Sequence, residues 1–170
     1  MIMPAVNLQP VQREQAAILS NLVQLYCHDL SDIFGLQIGA DGRYHYPQLA
    51  RYWEQPERHF AFLVYSDDQL AGFALATRGS PATDDPSHLD VAEFFVLRSC
   101  RQHGVGARAA HLLWERLGGH WVVRAAAKNA AAVVFWRRTV DAYAQGQHSE
   151  RTAELGGVVR HVFEFEARTH

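Results

Sequence analysis

The chain has 170 residues, of which 48% are hydrophobic and 20% charged, so it can bury a core and is not a disordered polymer. Its 16 basic and 18 acidic residues give a net charge of -2, which argues against a bulk nucleic-acid binder. Two cysteines, Cys27 and Cys100, exclude a disulfide framework, and neither a signal peptide nor a membrane span is recognisable. We therefore expect a single cytoplasmic domain over residues 1–170.

The first half of the chain is predicted to form a strand, a helix and a hairpin. A strand is expected at residues 6–11, and apolar residues at helical spacing predict an amphipathic helix over about residues 13–29. Residues 35–46 hold three glycines without a clear period and indicate a loop. A short helix is expected over residues 47–55. Two apolar runs separated by a pair of aspartates predict a hairpin over residues 59–78.

The second half alternates between strands and helices. A polar loop rich in proline and aspartate, residues 79–88, leads into the apolar strand LDVAEFFVL. A glycine turn and a helix to about Leu117 follow, then the strand HWVVRAA and a helix that Asn129 is placed to cap. The alternating end of the chain predicts the second arm of a hairpin. This order indicates an α+β fold with a strand–helix–strand unit in its second half.

The turn RQHGVGARAAHLLW, residues 101–114, has the features of an anion-binding site. A helix begins with unpaired N–H groups and the positive end of its dipole, which bind phosphate. Glycine at positions 104 and 106 permits positive φ and close approach of an anion to the backbone. Arg101 and Arg108 add charge and bidentate donors. The turn predicts a pyrophosphate site, with a plain strand-to-helix turn as the alternative.

Two other phosphate-binding motifs fit the turn less well. A P-loop ends in Gly-Lys-Ser/Thr, whereas Gly106 is followed by Ala107 and Arg108. A dinucleotide fingerprint needs a third glycine where this chain has Ala109.

Two segments together resemble the GNAT acetyltransferases. EFFVLRSCRQHGVGARAAHLLW is similar to the family's acetyl-coenzyme-A segment, whose signature Gln/Arg-x-x-Gly-x-Gly/Ala is matched by Arg101, Gly104 and Gly106. NAAAVVFW, from Asn129 to Trp136, is similar to the family's Asn-x-x-Ala-x-x-Phe-Tyr helix. The resemblance implies a GNAT-like mixed, mostly antiparallel central sheet flanked by helices. It also implies transfer of an acetyl group from acetyl-CoA to a primary amine.

The same resemblance implies which residues contact the coenzyme. The strand backbone would pair with the pantetheine arm, and N–H groups from about residue 102 to 107 would hold the pyrophosphate. The expected coenzyme-binding residues are Phe95, Val96, Leu97, Arg101, Gln102, His103, Gly104, Val105, Gly106, Ala107, Arg108, Asn129, Phe135 and Trp136.

One position departs from the family pattern. Trp136 stands where many members have a tyrosine beside the coenzyme sulfur, and an indole N–H cannot act as an acid there. Tyr143, two turns further along, is a weak substitute, and packing or surface exposure is its expected role. The departing thiolate would then take its proton from solvent or from the substrate ammonium.

Glu93 is the candidate catalytic residue. Acetyl transfer needs a neutral amine, and a carboxylate within reach can take the proton of an ammonium whose pKa is about 10. Glu93 lies in an apolar run, where burial would raise its pKa and make it a better base. The alternative is a glutamate that faces solvent or pairs with an arginine. The N–H of Val96 or Leu97 would polarise the thioester carbonyl.

Other residues give weaker signals. The ten histidines show no paired spacing with a carboxylate, so no metal is expected. Cys100 has no evident histidine partner for a nucleophilic role. Four aromatic residues of the variable loop–helix region would either border the acceptor site or pack: Tyr44, Tyr46, Tyr52 and Trp53.

Two functions remain open from the sequence. The first is an N-acetyltransferase that transfers directly in a ternary complex to a small-molecule or peptide amine. The second is a non-catalytic acyl-CoA-binding sensor or regulatory module, which Trp136 favours. No nucleic acid or membrane partner is expected, and the sequence leaves monomer and homodimer open.

Overall fold

A seven-stranded sheet runs through the computed structural model, which describes residues 2–169. Its strands are β1 (Val6–Pro10), β2 (His59–Ser66), β3 (Gln69–Arg78), β4 (Leu89–Val96), β5 (Gly119–Ala126), β6 (His148–Leu155) and β7 (Val158–Ala167). The helices are α1 (Ala16–Phe34), α2 (Arg51–Glu54), α3 (Val105–Leu117) and α4 (Ala130–Ala144), with 3-10 turns at Arg13–Gln15, Pro47–Ala50 and Arg98–Cys100. The predicted order of elements is confirmed.

The strands follow the order β1-β2-β3-β4-β5-β7-β6. Every pair is antiparallel except β4 and β5, which confirms the mixed, mostly antiparallel sheet. The parallel pair is short, because only Leu89 with Trp121 and Asp90 with Val122 are in register. Beyond Asp90 the two strands separate, and a gap opens in the middle of the sheet.

Two apolar layers cover the sheet. On one face, α1 and α2 pack on the central strands around Phe73 and Leu75. On the other face, α3 and α4 bury Trp114 and Trp121, both without exposed surface. Because each helix turns an apolar stripe toward the sheet, burial of these side chains supplies the main stabilisation of the fold.

Helix α1 is longer than the sequence predicted. The expected end near residue 29 is wrong, since the helix continues to Phe34. It stops at Gly35, which takes a left-handed φ of 65° as the residue after the last turn. None of the helices in residues 2–169 has the length and apolar character required to cross a bilayer.

A bulge in β4 determines which side chains share a face. Glu93 pairs with Leu75 and Val91 pairs with Ala76, so Ala92 is the extra residue. Side chains three apart in a regular strand point to opposite faces. The extra residue instead places Glu93 on the same face as Asp90, the side covered by α1. A hydrophobicity pattern does not reveal such a bulge.

Candidate active site

The gap between β4 and β5 leaves backbone groups of β4 free. The N–H of Leu97 donates to the carbonyl of Ala71 at 2.8 Å. Since hydrogen-bonded pairs alternate along an antiparallel ladder, Phe95 also bonds to β3, while Phe94 and Val96 direct their N–H and C=O groups toward the gap. Of the two expected carbonyl-polarising donors, Leu97 is therefore already engaged, and Val96 has its N–H available. The backbone of Phe94 also faces the gap. Phe94 was not among the residues expected from the sequence, because the register between β3 and β4 determines which backbone groups are unpaired.

Glu93 lies where the gap begins, on the half-buried face beneath α1. Burial raises the pKa of its carboxyl above the usual value, and the hydroxyls of Tyr26 and Tyr46 partly oppose that shift. Within residues 2–169 no arginine, lysine or histidine forms an ion pair with Glu93 at 4.0 Å or less, so the predicted alternative of a close arginine pair is not found there. The two tyrosine hydroxyls and the more distant charges of Arg124 and Arg160 favour the ionised carboxylate, and burial favours its protonated form.

Tyr26 comes from α1 and Tyr46 from the loop over residues 35–46, and both face Glu93. Burial is the largest cause that raises the pKa of each phenol, and the charge of Glu93 adds to it. Both phenols therefore stay protonated and can donate hydrogen bonds to the carboxylate. Tyr46 was among the aromatic residues expected near the acceptor. Tyr26 was missed because it lies on the apolar stripe of α1, packed edge-on against Phe73 at 5.5 Å between ring centroids.

A polar cleft of about 470 Å³ opens beside Tyr46, between α1 and the loop. The loop is fastened to the helix by two reciprocal hydrogen bonds. The N–H of Tyr44 donates to Gln24 Oε1 at 2.7 Å, and Gln24 Nε2 donates to the Tyr44 carbonyl at 2.9 Å. Tyr46 lines the cleft and also neighbours Glu93, so its side chain lies between the cleft and the carboxylate.

The glycine turn presents a run of free N–H groups. Gln102 and Gly104 have φ of 66° and 78°, and the first backbone bond of α3 runs from Arg108 N to Gly104 O at 3.0 Å. Within the described chain, the N–H groups of residues 102–107 donate no hydrogen bond. These are the groups expected to hold pyrophosphate, and their arrangement is the concave one that binds anions.

Glycine is required at position 106 by close packing, and not by the positive φ that the sequence analysis predicted. Its φ is helical, and a Cβ there would lie 3.1 Å from both Cε2 and Cζ of Phe135 and 3.7 Å from Cγ2 of Val96. The missing side chain therefore allows α3 to approach α4 and the end of β4. Positive φ explains Gly104 alone.

The two arginines of the turn differ. Arg101 donates through Nη2 to Asp29 Oδ2 at 2.7 Å and through Nε to the Val96 carbonyl at 2.8 Å. Together with Arg98, which also pairs with Asp29, it ties the end of β4 to α1. Arg108 is exposed and lines a cleft of about 450 Å³ with His103 and Gly104. Its one ion pair in residues 2–169 is a long one, 3.9 Å from Nη1 to Glu115 Oε2, so Arg108 is the arginine better able to meet a phosphate.

Helix α4 forms a wall of the gap. Asn129 caps it, since Oδ1 accepts the N–H of Ala132 at 3.3 Å. Phe135 stacks with Phe94 at 6.1 Å, and Trp136 meets Phe94 edge-on at 5.1 Å. Trp136 is 7% exposed and belongs to the core.

Tyr143 packs against the side chains of Trp114 and Phe165, which confirms its expected packing role.

Asp90 forms a buried ion pair that sequence reasoning missed. It has no exposed surface, and its two carboxylate oxygens accept from Arg124 Nη2 at 2.7 Å and Nε at 2.8 Å. Ser80 Oγ also donates to Oδ2. The Asp90–Arg124 pair links β4 to β5 at the last position where the two strands are hydrogen-bonded.

Comparison with known proteins agrees with this geometry. Residues 22–140 match the family model described as the acetyltransferase (GNAT) family. The chain belongs to this family. A comparison of the sequence with curated proteins gives no match.

Solved structures share the GNAT fold at low sequence identity. An acetyltransferase from Thermus thermophilus is 17% identical, with a TM-score of 0.67 over 98% of this chain and 99% of that one. Aminoglycoside acetyltransferase AAC(6')-Ib in complex with coenzyme A is 11% identical, with a TM-score of 0.68 over 95% of each chain. Spermidine N-acetyltransferase from Vibrio cholerae, in complex with CoA and spermine, is 11% identical with a TM-score of 0.62 over 95% of each.

Proposed function

We propose that this GNAT protein transfers the acetyl group of acetyl-CoA to a primary amine in a ternary complex, with Glu93 as the general base. The carrying observation is that Glu93 lies at the mouth of the β4–β5 gap with a raised pKa and no ion-pair partner in residues 2–169. A buried carboxylate that is not neutralised by a cation lowers stability, and such groups concentrate at functional sites.

The chain offers a group for each part of the coenzyme. The free N–H groups of residues 102–107 and the exposed guanidinium of Arg108 would hold the pyrophosphate. The backbone of Phe94 would pair with the pantetheine arm, and the N–H of Val96, whose carbonyl already accepts from Arg101, would polarise the thioester carbonyl. Acetyl-CoA supplies the activated acyl group.

Proton transfer would run through Glu93. The carboxylate takes a proton from the acceptor ammonium, directly or through a water, and the neutral amine forms the new C–N bond as the C–S bond breaks. Because Trp136 is buried and no acid, the thiolate would be protonated by solvent or by the ammonium proton.

The acceptor is expected to enter through the cleft between α1 and the loop over residues 35–46. Its polar lining includes Gln24, Asp41 and Tyr46 and suits a hydrophilic amine. The kanamycin and spermine named with the similar structures support an amine acceptor without selecting one.

A non-catalytic acyl-CoA-binding module is the second candidate. The observation that favours it is Trp136, which replaces a tyrosine of the family pattern and lies in the core at 7% exposure. Such a module would keep the coenzyme groups of β4 and α3 and would need no base at Glu93.

A thiol-release assay over a panel of polyamines, aminoglycosides, amino acids and peptide N-termini separates the two functions. Acetyl-CoA binding is measured in parallel by calorimetry and thermal melting. We expect binding, a raised Tm, and thiol release with at least one amine. At 100 times Kd the stabilisation should be about 2.7 kcal/mol. Binding without turnover over the whole panel supports the module, and a folded chain that does not bind acetyl-CoA contradicts both.

A further inference from the structure

A second cluster of side chains lies at the other end of β4 from the gap. It consists of His88, the residue before β4, His120 on β5 and Glu164 on β7. One ligand atom from each of the three lies within 4.8 Å of the other two. Their side chains are 19%, 27% and 20% exposed, so the cluster is partly enclosed. It shares no residue with the proposed acetyl-transfer site.

Sheet topology brings the three residues together. Leu89 pairs with Trp121, so the residues that precede them, His88 and His120, are neighbours with rings stacked at 4.0 Å. His120 pairs across β5 and β7 with Glu166, two residues from Glu164 on the same face. The three ligands come from separate elements, which explains why spacing in the sequence predicted no metal.

His88 has one ring nitrogen hydrogen-bonded and the other facing the cluster, whereas His120 is hydrogen-bonded at both nitrogens, so a metal ion would enter between its Nε2 and Glu164. His120 Nδ1 is 2.6 Å from Glu166 Oε1, and its Nε2 is 2.9 Å from Glu164 Oε1. His88 Nδ1 is 3.0 Å from Thr83 Oγ1, which leaves Nε2 available. A metal-binding histidine commonly donates its second N–H to a carboxylate or another acceptor, which fixes the ring.

The surrounding charges fit a cation. Asp85 Oδ2 lies 3.5 Å from His88 Nε2, so this oxygen can serve as the fourth ligand. Arg151 competes for Glu164, but its Nε is 3.5 Å from Oε2 and leaves Oε1 to the cluster.

We propose that His88, His120 and Glu164 form a binding site for a divalent transition-metal ion of the zinc type, with Asp85 or water as the fourth ligand. Two imidazoles and a carboxylate are ligands that Zn²⁺, Co²⁺ and Ni²⁺ accept, whereas Mg²⁺ and Ca²⁺ prefer oxygen. Ligand atoms about 2.1 Å from zinc stand roughly 3.4 Å apart, so no pair in the cluster has to contract by more than about 1.4 Å. His120 Nε2 and Glu164 Oε1, now 2.9 Å apart, would instead separate slightly to admit the ion.

The ion would fasten the loop over residues 79–88 to the sheet. Two hydrogen bonds already hold that loop. Ser80 donates to Asp90, and Arg151 Nη2 donates to the Ala82 carbonyl at 2.6 Å. A metal on His88 adds a link from the loop to β5 and β7. Its role is structural, so metal binding should raise thermal stability.

The test titrates the full chain, without a histidine tag and after chelator treatment, with Zn²⁺ by calorimetry and with Co²⁺ by visible absorption. We expect one ion per chain, the intense visible bands of four- or five-coordinate Co²⁺, and a higher Tm with Zn²⁺. The variants are His88→Gln, His120→Gln and Glu164→Gln. Loss of a partner behind a ligand weakens metal binding 10- to 100-fold, so loss of a ligand should weaken it at least about 100-fold.

His161→Gln is the matched control. His161 Nδ1 is 3.4 Å from Glu150 Oε2, a histidine–glutamate pair outside the cluster, and this variant should bind as the wild type does. Circular dichroism identifies any variant that does not fold, and the variants that do fold still test the metal site. A folded wild type without a cobalt spectrum or zinc heat overturns the site. So does wild-type affinity in the folded cluster variants.

Discussion

The two halves of β4 hold two carboxylates on one face in opposite surroundings. In the first half, where β4 is still joined to β5, Asp90 is fully buried and bound by both donors of Arg124. In the second half, where the strands separate, Glu93 meets two protonated phenols and no ion-pair partner among residues 2–169. The backbone of β4 also differs between the halves, because it pairs with β5 only at Leu89 and Asp90.

This difference shows how a strand can separate stability from chemistry within three residues. The bulge at Ala92 keeps both carboxylates on the α1 face, while the gap to β5 opens only after Asp90 and so borders Glu93 alone. Asp90 is neutralised, so its contribution is to structure. Glu93 keeps a carboxyl whose raised pKa reflects incomplete compensation for burial. We therefore expect variants of the first half to lose stability and variants of the second half to lose activity or coenzyme binding.

Glu93→Gln should have the largest effect on activity. The amide keeps the shape and removes the base, so kcat/KM should fall about 10²- to 10⁴-fold with the best amine of the panel. Acetyl-CoA affinity by calorimetry should be unchanged, because the proposed coenzyme contacts are on Val96 and α3. Unaltered activity at neutral pH would place the base elsewhere, and a loss of coenzyme affinity or folding would make Glu93 structural.

Asp90→Asn should have the largest effect on stability. Removal of one partner leaves the Arg124 charge buried, which costs about 3–5 kcal/mol in the free energy of unfolding. The double variant Asp90→Asn with Arg124→Met should recover most of that loss, because it removes the orphaned charge. Urea unfolding of the three chains measures both values. A single variant as stable as the wild type would show that the pair does not hold β4 to β5.

Arg108→Ala tests the open end of the second half. Arg108 is exposed, so its loss should weaken acetyl-CoA binding by up to about fivefold at low salt, with a smaller effect at high salt. A pantetheine fragment, which lacks the pyrophosphate, should bind both chains equally. Arg101→Ala is the contrasting variant: it breaks the Asp29 contact and should lower Tm. Equal losses for acetyl-CoA and the fragment would contradict the phosphate role of Arg108.

The sequence predicted most of the fold and the glycine turn before α3 because these depend on local patterns. Helical spacing, the cap at Asn129 and the glycines after Arg101 all lie within a few residues of their partners. The missed features depend on register and on contacts between distant elements. The bulge at Ala92, the Asp90 pair and the position of Tyr26 beside Glu93 arise only when strands and α1 are assembled. Arg101 illustrates the limit, since a local motif could not anticipate Asp29 on another helix.

Tyr46→Phe should have the smallest effect and gives the sharpest test of how Glu93 is held. The Tyr46 hydroxyl lowers the pKa of Glu93, so its removal raises that pKa further. Glu93 acts as a base only when deprotonated, so the acid limb of kcat/KM should move to higher pH when the hydroxyl is removed. Tyr44→Phe is the control, since its hydroxyl lies 3.1 Å from His28 Nδ1 and should leave the limb in place.

The raised pKa of Glu93 also determines how its contribution to the free energy of unfolding changes with pH. Folded Glu93 binds its proton more tightly than the unfolded chain, whose glutamate pKa is about 4.3. The protonated form therefore contributes stability that is present below that value and is lost as pH rises through the folded pKa. Tyr46→Phe should extend this loss to higher pH, and Glu93→Gln should remove it. An acid limb that stays or moves to lower pH in Tyr46→Phe would show that its hydroxyl does not donate to Glu93.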